Sequence, residues 1–185
     1  MAIAINGSGT VTGISVGGLP DGIVDEDMLA ATSVSPLKRK GSGTVLQIVE
    51  NHSNEALASN ATSYVVTPVT AAITPLKTNS TILIEAAVGT WPPPAIYLQL
   101  QLRASGGATN NDLGVQAQTY ATVNDSAFHC SYRWSHVNHG GSSAITYAVW
   151  GKKTNANNAN NFYFPNNNTA GGSITWSMTL TEILA

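Results

Sequence analysis

Charge is scarce in this chain. Asp, Glu, Lys and Arg make up 10% of its 185 residues, where an average soluble domain carries about 25%. Eight basic residues face ten acidic ones, for a formal net charge of −2. No basic stripe forms of the kind that neutralises a phosphate backbone, so nucleic acid is not an expected partner. Cysteine is nearly missing too: Cys130 stands alone, which excludes an intrachain disulfide as the staple of the fold. No apolar run approaches the ~20 residues of a spanning helix, so membrane insertion is not expected. The opening "MAIAINGSGTV" has neither the basic nor the apolar region of a secretory signal, which points to synthesis in a cytoplasm without export by a standard signal, with lysis still open as a route out of the cell. Amphipathic helices, phosphate loops and dinucleotide fingerprints are lacking as well.

What fills the space is Asn, Thr, Ser, Gly and Ala, residues that suit strands and turns. A surface this poor in charge is suited to being covered by other copies of itself. Over residues 1–22, Ile3, Ile5, Val11, Ile14 and Val16 are separated by Gly7, Gly9, Gly13, Gly17 and Gly18. That pattern gives short extended pieces and turns, with too few large side chains to bury a core alone. "LPDG" is a turn in which Pro20 presets φ and Gly22 accepts a positive one. Asp25, Glu26 and Asp27 before Met28–Ala31 suit the start of one or two helical turns. "SPLKRKGSG" then reads as a linker. The expected organisation is an arm over 1–35, a linker over 36–43 and a folded domain over 44–185.

Beyond the linker the hydrophobic period becomes two. Ile82, Ile84, Ala86 and Val88 share one face, as do Ile96, Leu98, Leu100 and Leu102. The same holds for Ile145, Tyr147 and Val149, and for Ile174, Trp176, Met178 and Leu180. Such alternation is the mark of half-buried antiparallel strands. Weaker candidates are "TVLQIVE", "TSYVVT", "LGVQAQTYA", "AFHCSYRWSHV" and "NFYF". About nine strands joined by Gly, Asn and Pro turns predict an all-β fold, an antiparallel β-sandwich of jelly-roll type behind an extended N-terminal arm.

Three constellations carry chemical interest. Gly13-Ile14-Ser15-Val16-Gly17 matches the G-x-S-x-G of a nucleophile elbow. That motif needs a strand before the serine and a helix after it, and "VGGLPDG" cannot begin a helix. His129, Cys130, His136 and His139 offer metal-ligand types. On one strand, however, His129 and His136 face opposite ways, while Cys130 and His136 lie about 20 Å apart. The expectation is a strand with histidines at its exposed end and no metal. Asp112, Asp125, Glu85, Glu50 and Glu182 are scattered, which predicts no paired-carboxylate site. Trp91, Tyr97, Tyr120, Tyr132, Trp134 and Trp150 suit either a core or interface, or the stacking of sugar faces. No enzyme activity and no cofactor are expected.

The segment Gly9–Ala30, "GTVTGISVGGLPDGIVDEDMLA", resembles the glycine-rich start of tail-fibre and related virion proteins of tailed phages, cyanophages among them. "ITPLKTNSTILIEAAV", "SAITYAVWGK" and "GGSITWSMTLTEILA" are more loosely similar to strand segments of that family. The resemblance implies a non-enzymatic virion component, a homotrimer with an attachment arm and a β-sandwich knob. Gly13, Ile14, Val16, Gly17, Gly18, Leu19, Pro20 and Asp21 would form the attachment segment, held by a tail adaptor or the capsid. Trp91, Pro93, Asn157, Asn158, Asn160, Asn167 and Asn168 would lie on loops facing the host, with a surface glycan as candidate ligand. The chain leaves little room for a long shaft, so a short spike or a capsid decoration protein that stabilises the head is the alternative. A soluble glycan-active or lectin-like sandwich is a third reading, which leaves the arm unexplained.

Overall fold

The computed structural model describes residues 4–5, 11–12, 41–55, 57–90, 97–107, 112–120, 128–137, 139–155, 161–164 and 175–185. The chain divides into two units, Met1–Arg39 and Lys40–Ala185. In the first, β1 (Ala4–Ile5) pairs antiparallel with β2 (Val11–Thr12).

The second unit is an antiparallel β-sandwich. One sheet runs in the order β3 (Val45–Ser53), β12 (Trp176–Ile183), β6 (Thr81–Thr90), β9 (Phe128–His136). The facing sheet runs β5 (Val65–Ile73), β10 (Ile145–Lys153), β7 (Tyr97–Gly106), β8 (Asp112–Tyr120). Two short strands, β4 (Leu57–Ser59) and β11 (Phe162–Phe164), pair beside them. The pairing is nested along the chain: β3 with β12, β5 with β10, β6 with β9, and β7 with β8. It is the pattern of one long hairpin bent over on itself. Pairings of β12 with β6 and of β10 with β7 then hold the two halves together.

Alternation builds the core. Ile82, Ile84, Ala86 and Val88 of β6 and Trp176, Met178 and Leu180 of β12 point inward. They meet Leu98, Leu100 and Leu102 of β7 and Ile145, Tyr147 and Val149 of β10. Phe162 and Phe164 of β11 join the same cluster. Each such aliphatic or aromatic side chain contributes about 1.5–3 kcal/mol on burial. One-residue slips are costly here because they would turn every one of these side chains toward water.

Strand β5 runs past the point where the sequence pattern breaks. Pro68 sits inside it and has no N–H to give a ladder, which is tolerated because β5 is an edge strand paired only with β10. The register also shifts there, between Ala148 and Trp150. The Thr67 hydroxyl bridges the gap, donating to the Val149 carbonyl at 2.8 Å and accepting from the Val69 N–H at 3.3 Å.

Candidate functional site

The arm residues Gly13, Ile14, Val16, Gly17, Gly18, Leu19, Pro20 and Asp21 lie outside the described residues, as does Ser15. So do the loop residues Trp91, Pro93, Asn157, Asn158, Asn160, Asn167 and Asn168. The sandwich itself presents two features with chemical character, one sealed inside and one on its surface.

The sealed feature begins with Glu182, the next inward position of β12 after Trp176, Met178 and Leu180, and fully buried. An isolated carboxylate cannot remain there, and this one is wrapped in donors. The Leu76 N–H lies 2.9 Å from both carboxylate oxygens, the Lys77 N–H donates to Oε1 at 3.0 Å, and Gln47 Nε2 donates to Oε2 at 2.6 Å. Ser80 Oγ lies 2.5 Å from Oε1. Burial would raise the carboxyl pKa, but the bonds from Ser80, Leu76, Gln47 and Lys77 outweigh it and hold the group below its ordinary value. Glu182 thereby ties the loop between β5 and β6 to the last strand.

His139 completes the cluster, with Nε2 3.1 Å from Ser80 Oγ. A serine in contact with both a histidine and a glutamate invites comparison with a catalytic triad, and the proton arrangement differs. A nucleophilic serine gives its proton to histidine, whose other nitrogen is held by the acid. Here the serine hydroxyl is directed to Glu182 Oε1 and to the Lys77 carbonyl, 2.8 Å away. That leaves His139 Nε2–H to donate to Ser80, and Nδ1 buried with no hydrogen-bond partner. Ser80 is also only 1% exposed. The cluster is a lock that closes one end of the sandwich.

Histidines at an exposed strand end were the sequence expectation; His136 and His139 are instead both buried. His136 falls opposite Ile82 of β6, which turns it into the core, and its Nδ1 meets the Tyr147 hydroxyl at 2.8 Å. Burial, followed by the neighbouring His139, lowers the His136 pKa from 6.5. The two imidazole centroids are 6.1 Å apart. Cys130 falls opposite Val88, farther along β9. Among the described residues no group of three or more His, Cys, Asp or Glu could hold a metal ion.

The surface feature lies on the outer face of the β5-β10-β7-β8 sheet. Outward positions of β7 and β10 place Arg103 and Gln101 beside Trp150, and Gln99 opposite Lys152. Arg103 stacks its guanidinium 4.4 Å from the Trp150 ring centroid and 5.4 Å from that of Tyr64. Lys152 Nζ lies 4.5 Å from the same Tyr64 ring. Arg103 Nε donates to Gln101 Oε1 at 2.9 Å, which fixes the fork in place. Among the described side chains no carboxylate pairs with Arg103 or Lys152. Tyr97, at the end of this row, is 44% exposed. Of the aromatics singled out in the sequence, Trp134 is core and Trp150 and Tyr97 form this face.

The opposite sheet carries a shallow depression of about 250 Å³ floored by Ala87, Ser131, Ser177 and Thr179 and rimmed by the Arg133–Glu85 ion pair. It is smaller than the ~300–1,000 Å³ of small-molecule pockets. Glu182 continues the inward phase of β12, but sequence reasoning set it among scattered carboxylates, because its partners come from distant stretches of the chain. The partnership of Tyr64 with Arg103 and Lys152 was not legible either, because it depends on β5 lying beside β10. No family model matches the chain, and a search of curated proteins finds no match.

Proposed function

We propose that the chain is a structural protein of a phage virion, a homotrimeric tail-fibre or short-spike subunit. Its arm over 1–35 anchors it to a tail adaptor or to the capsid, and its sandwich is a knob turned to the host surface. The observation that carries this reading is the joining of two things in one chain. One is the Gly9–Ala30 segment, similar to virion attachment arms. The other is a sandwich whose eight long strands pair in nested order. That order supports a jelly roll, an architecture that viral capsid and lectin domains share. The inward-turned Ser80 cluster supports a structural rather than a catalytic role.

Capsid decoration, in which the same arm and sandwich lie on the head lattice and stabilise it, is the second reading. Antibody labelling of intact virions separates the two. Label at the tail is expected for a fibre or spike, and label over the head for a decoration protein. Particles that carry no label would refute both.

A further inference from the structure

We propose that the histidine pair at the end of β9 is an acid-sensitive latch: neutral His136 holds that end of the strand closed against β6 and β10, and its protonation releases the end while the rest of the sandwich stays folded. Release bares Ile82 and the Tyr147 ring, so acid turns a sealed end of the sandwich into an apolar one. The device does not depend on where the protein sits in a particle.

Its position suits a local release. His136 is the last residue of β9, an edge strand paired only with β6. It stands opposite Ile82, which stands opposite Glu182 of β12, so the three form one inward rung near the end of the sheet. Across the core, Tyr147 is the third residue of β10. The end of a strand with a neighbour on one side opens at lower cost than the whole core.

This end is closed only around a neutral imidazole. His136 is 2% exposed and His139 is fully buried. Nδ1 of His136 meets the Tyr147 hydroxyl at 2.8 Å, and its Nε2 is buried with no hydrogen-bond partner. An imidazolium carries N–H on both nitrogens. Whichever tautomer the neutral ring holds, a proton on His136 therefore leaves a charged donor at Nε2 with no acceptor, a state that burial penalises and water relieves. With ring centroids 6.1 Å apart, His139 stands too far for a nitrogen-to-nitrogen hydrogen bond.

The described groups around His136 do not offset that cost. Ile82 of β6 is apolar, and Tyr147 of β10 stays protonated because burial pushes its phenol well above the ordinary value. Glu182 is two strands away, and its carboxylate is engaged by Leu76, Lys77, Ser80 and Gln47. Burial, and after it the neighbouring His139, hold the His136 pKa below 6.5. The open end, where the ring meets water, therefore takes up the proton first. Closure is whole above 6.5 and is lost as pH falls toward the folded value.

Hydrogen–deuterium exchange of the full chain at about pH 7.5 and about pH 5, compared after correction for intrinsic exchange rates, tests the latch. Peptides covering the end of β9 are expected to open more readily by up to about tenfold for each pH unit below 6.5, while the middles of β6, β7 and β10 keep their protection. In H136N the end of β9 should lose this dependence on pH. An NMR titration of the His136 ring in the parent protein does not depend on how the variant folds: its midpoint should lie below 6.5, and the local opening should follow it. Exchange at the end of β9 that ignores pH, that responds equally in H136N, or that rises uniformly across both sheets would each overturn the proposal, as would a ring midpoint at or above 6.5.

Discussion

A carboxylate with no access to water stays ionised only where its surroundings replace the lost hydration, and Glu182 is such a group. Its hydrogen-bond donors come from two separate stretches of the chain, at Gln47 and at Leu76–Ser80. E182Q keeps the shape and removes the charge, so it should destabilise the protein by about 1.5–3 kcal/mol, read from urea unfolding at neutral pH. The pH dependence follows from the direction of the shift. With the folded pKa held below 4.5, the contribution of Glu182 is whole above that value and is lost as pH falls through the folded pKa. E182Q should lack that acid limb. His136 acts in a higher window. Its folded pKa lies below 6.5, so the unfolded chain takes up the proton first, and stability falls as pH drops from 6.5 toward the folded value. The slope is at most about 1.4 kcal/mol per pH unit. H136N should flatten this window and leave the acid limb of Glu182 in place. A slope in H136N as steep as in the parent protein would show that another group titrates there.

Among the elements, β5 shows where pattern and structure part. The stretch "TSYVVT" marks its start, but Pro68 ends the alternation, and the sequence gives no sign that the strand resumes through Ile73. It resumes because the register shift opposite Val149 absorbs the proline, with Thr67 standing in for the missing ladder bond. T67V removes that bridge and leaves a buried carbonyl and N–H short of a partner, at a cost of about 1–3 kcal/mol in chemical denaturation. A second test lies at the end of β7, where Gly106 has φ +86° and a Cβ would sit 2.5 Å from the Ala144 carbonyl oxygen. G106A meets both strain and a backbone clash, and should lower stability by about 1–3 kcal/mol, visible as a drop in Tm. Strands with a clean period of two were legible because each has a run of three or four apolar inward residues: over those runs β6, β7, β10 and β12 have the inward faces that their alternation dictates. The buried polar groups were not. His136 and Glu182 occupy inward positions, yet their types suggest solvent, and only the partners brought by distant strands make burial tolerable.

For the whole molecule, the decisive physical fact is that the core belongs to one unit. Among the described residues, every member of the hydrophobic cluster lies between Val49 and Leu180, inside Lys40–Ala185. A unit that holds its own core is expected to fold by itself, so residues 40–185 alone should unfold cooperatively with a Tm within a few degrees of the full chain. Assembly should respond differently. In the proposed reading the arm holds the copies together, its β-branched residues pairing across chains where a single chain has too few large side chains to order it. Light scattering coupled to size exclusion is then expected to find a trimer for the full chain and a monomer for 40–185. A trimer in both would move the contact onto the sandwich, where faces poor in charge are suited to cover one another. A monomer in both would remove the trimer from the proposal and leave the arm as a segment ordered only by its partner in the particle. A full-chain trimer whose truncated form fails to fold would instead place a share of the sandwich's stability in the arm, against the expectation that a unit with its own core folds alone.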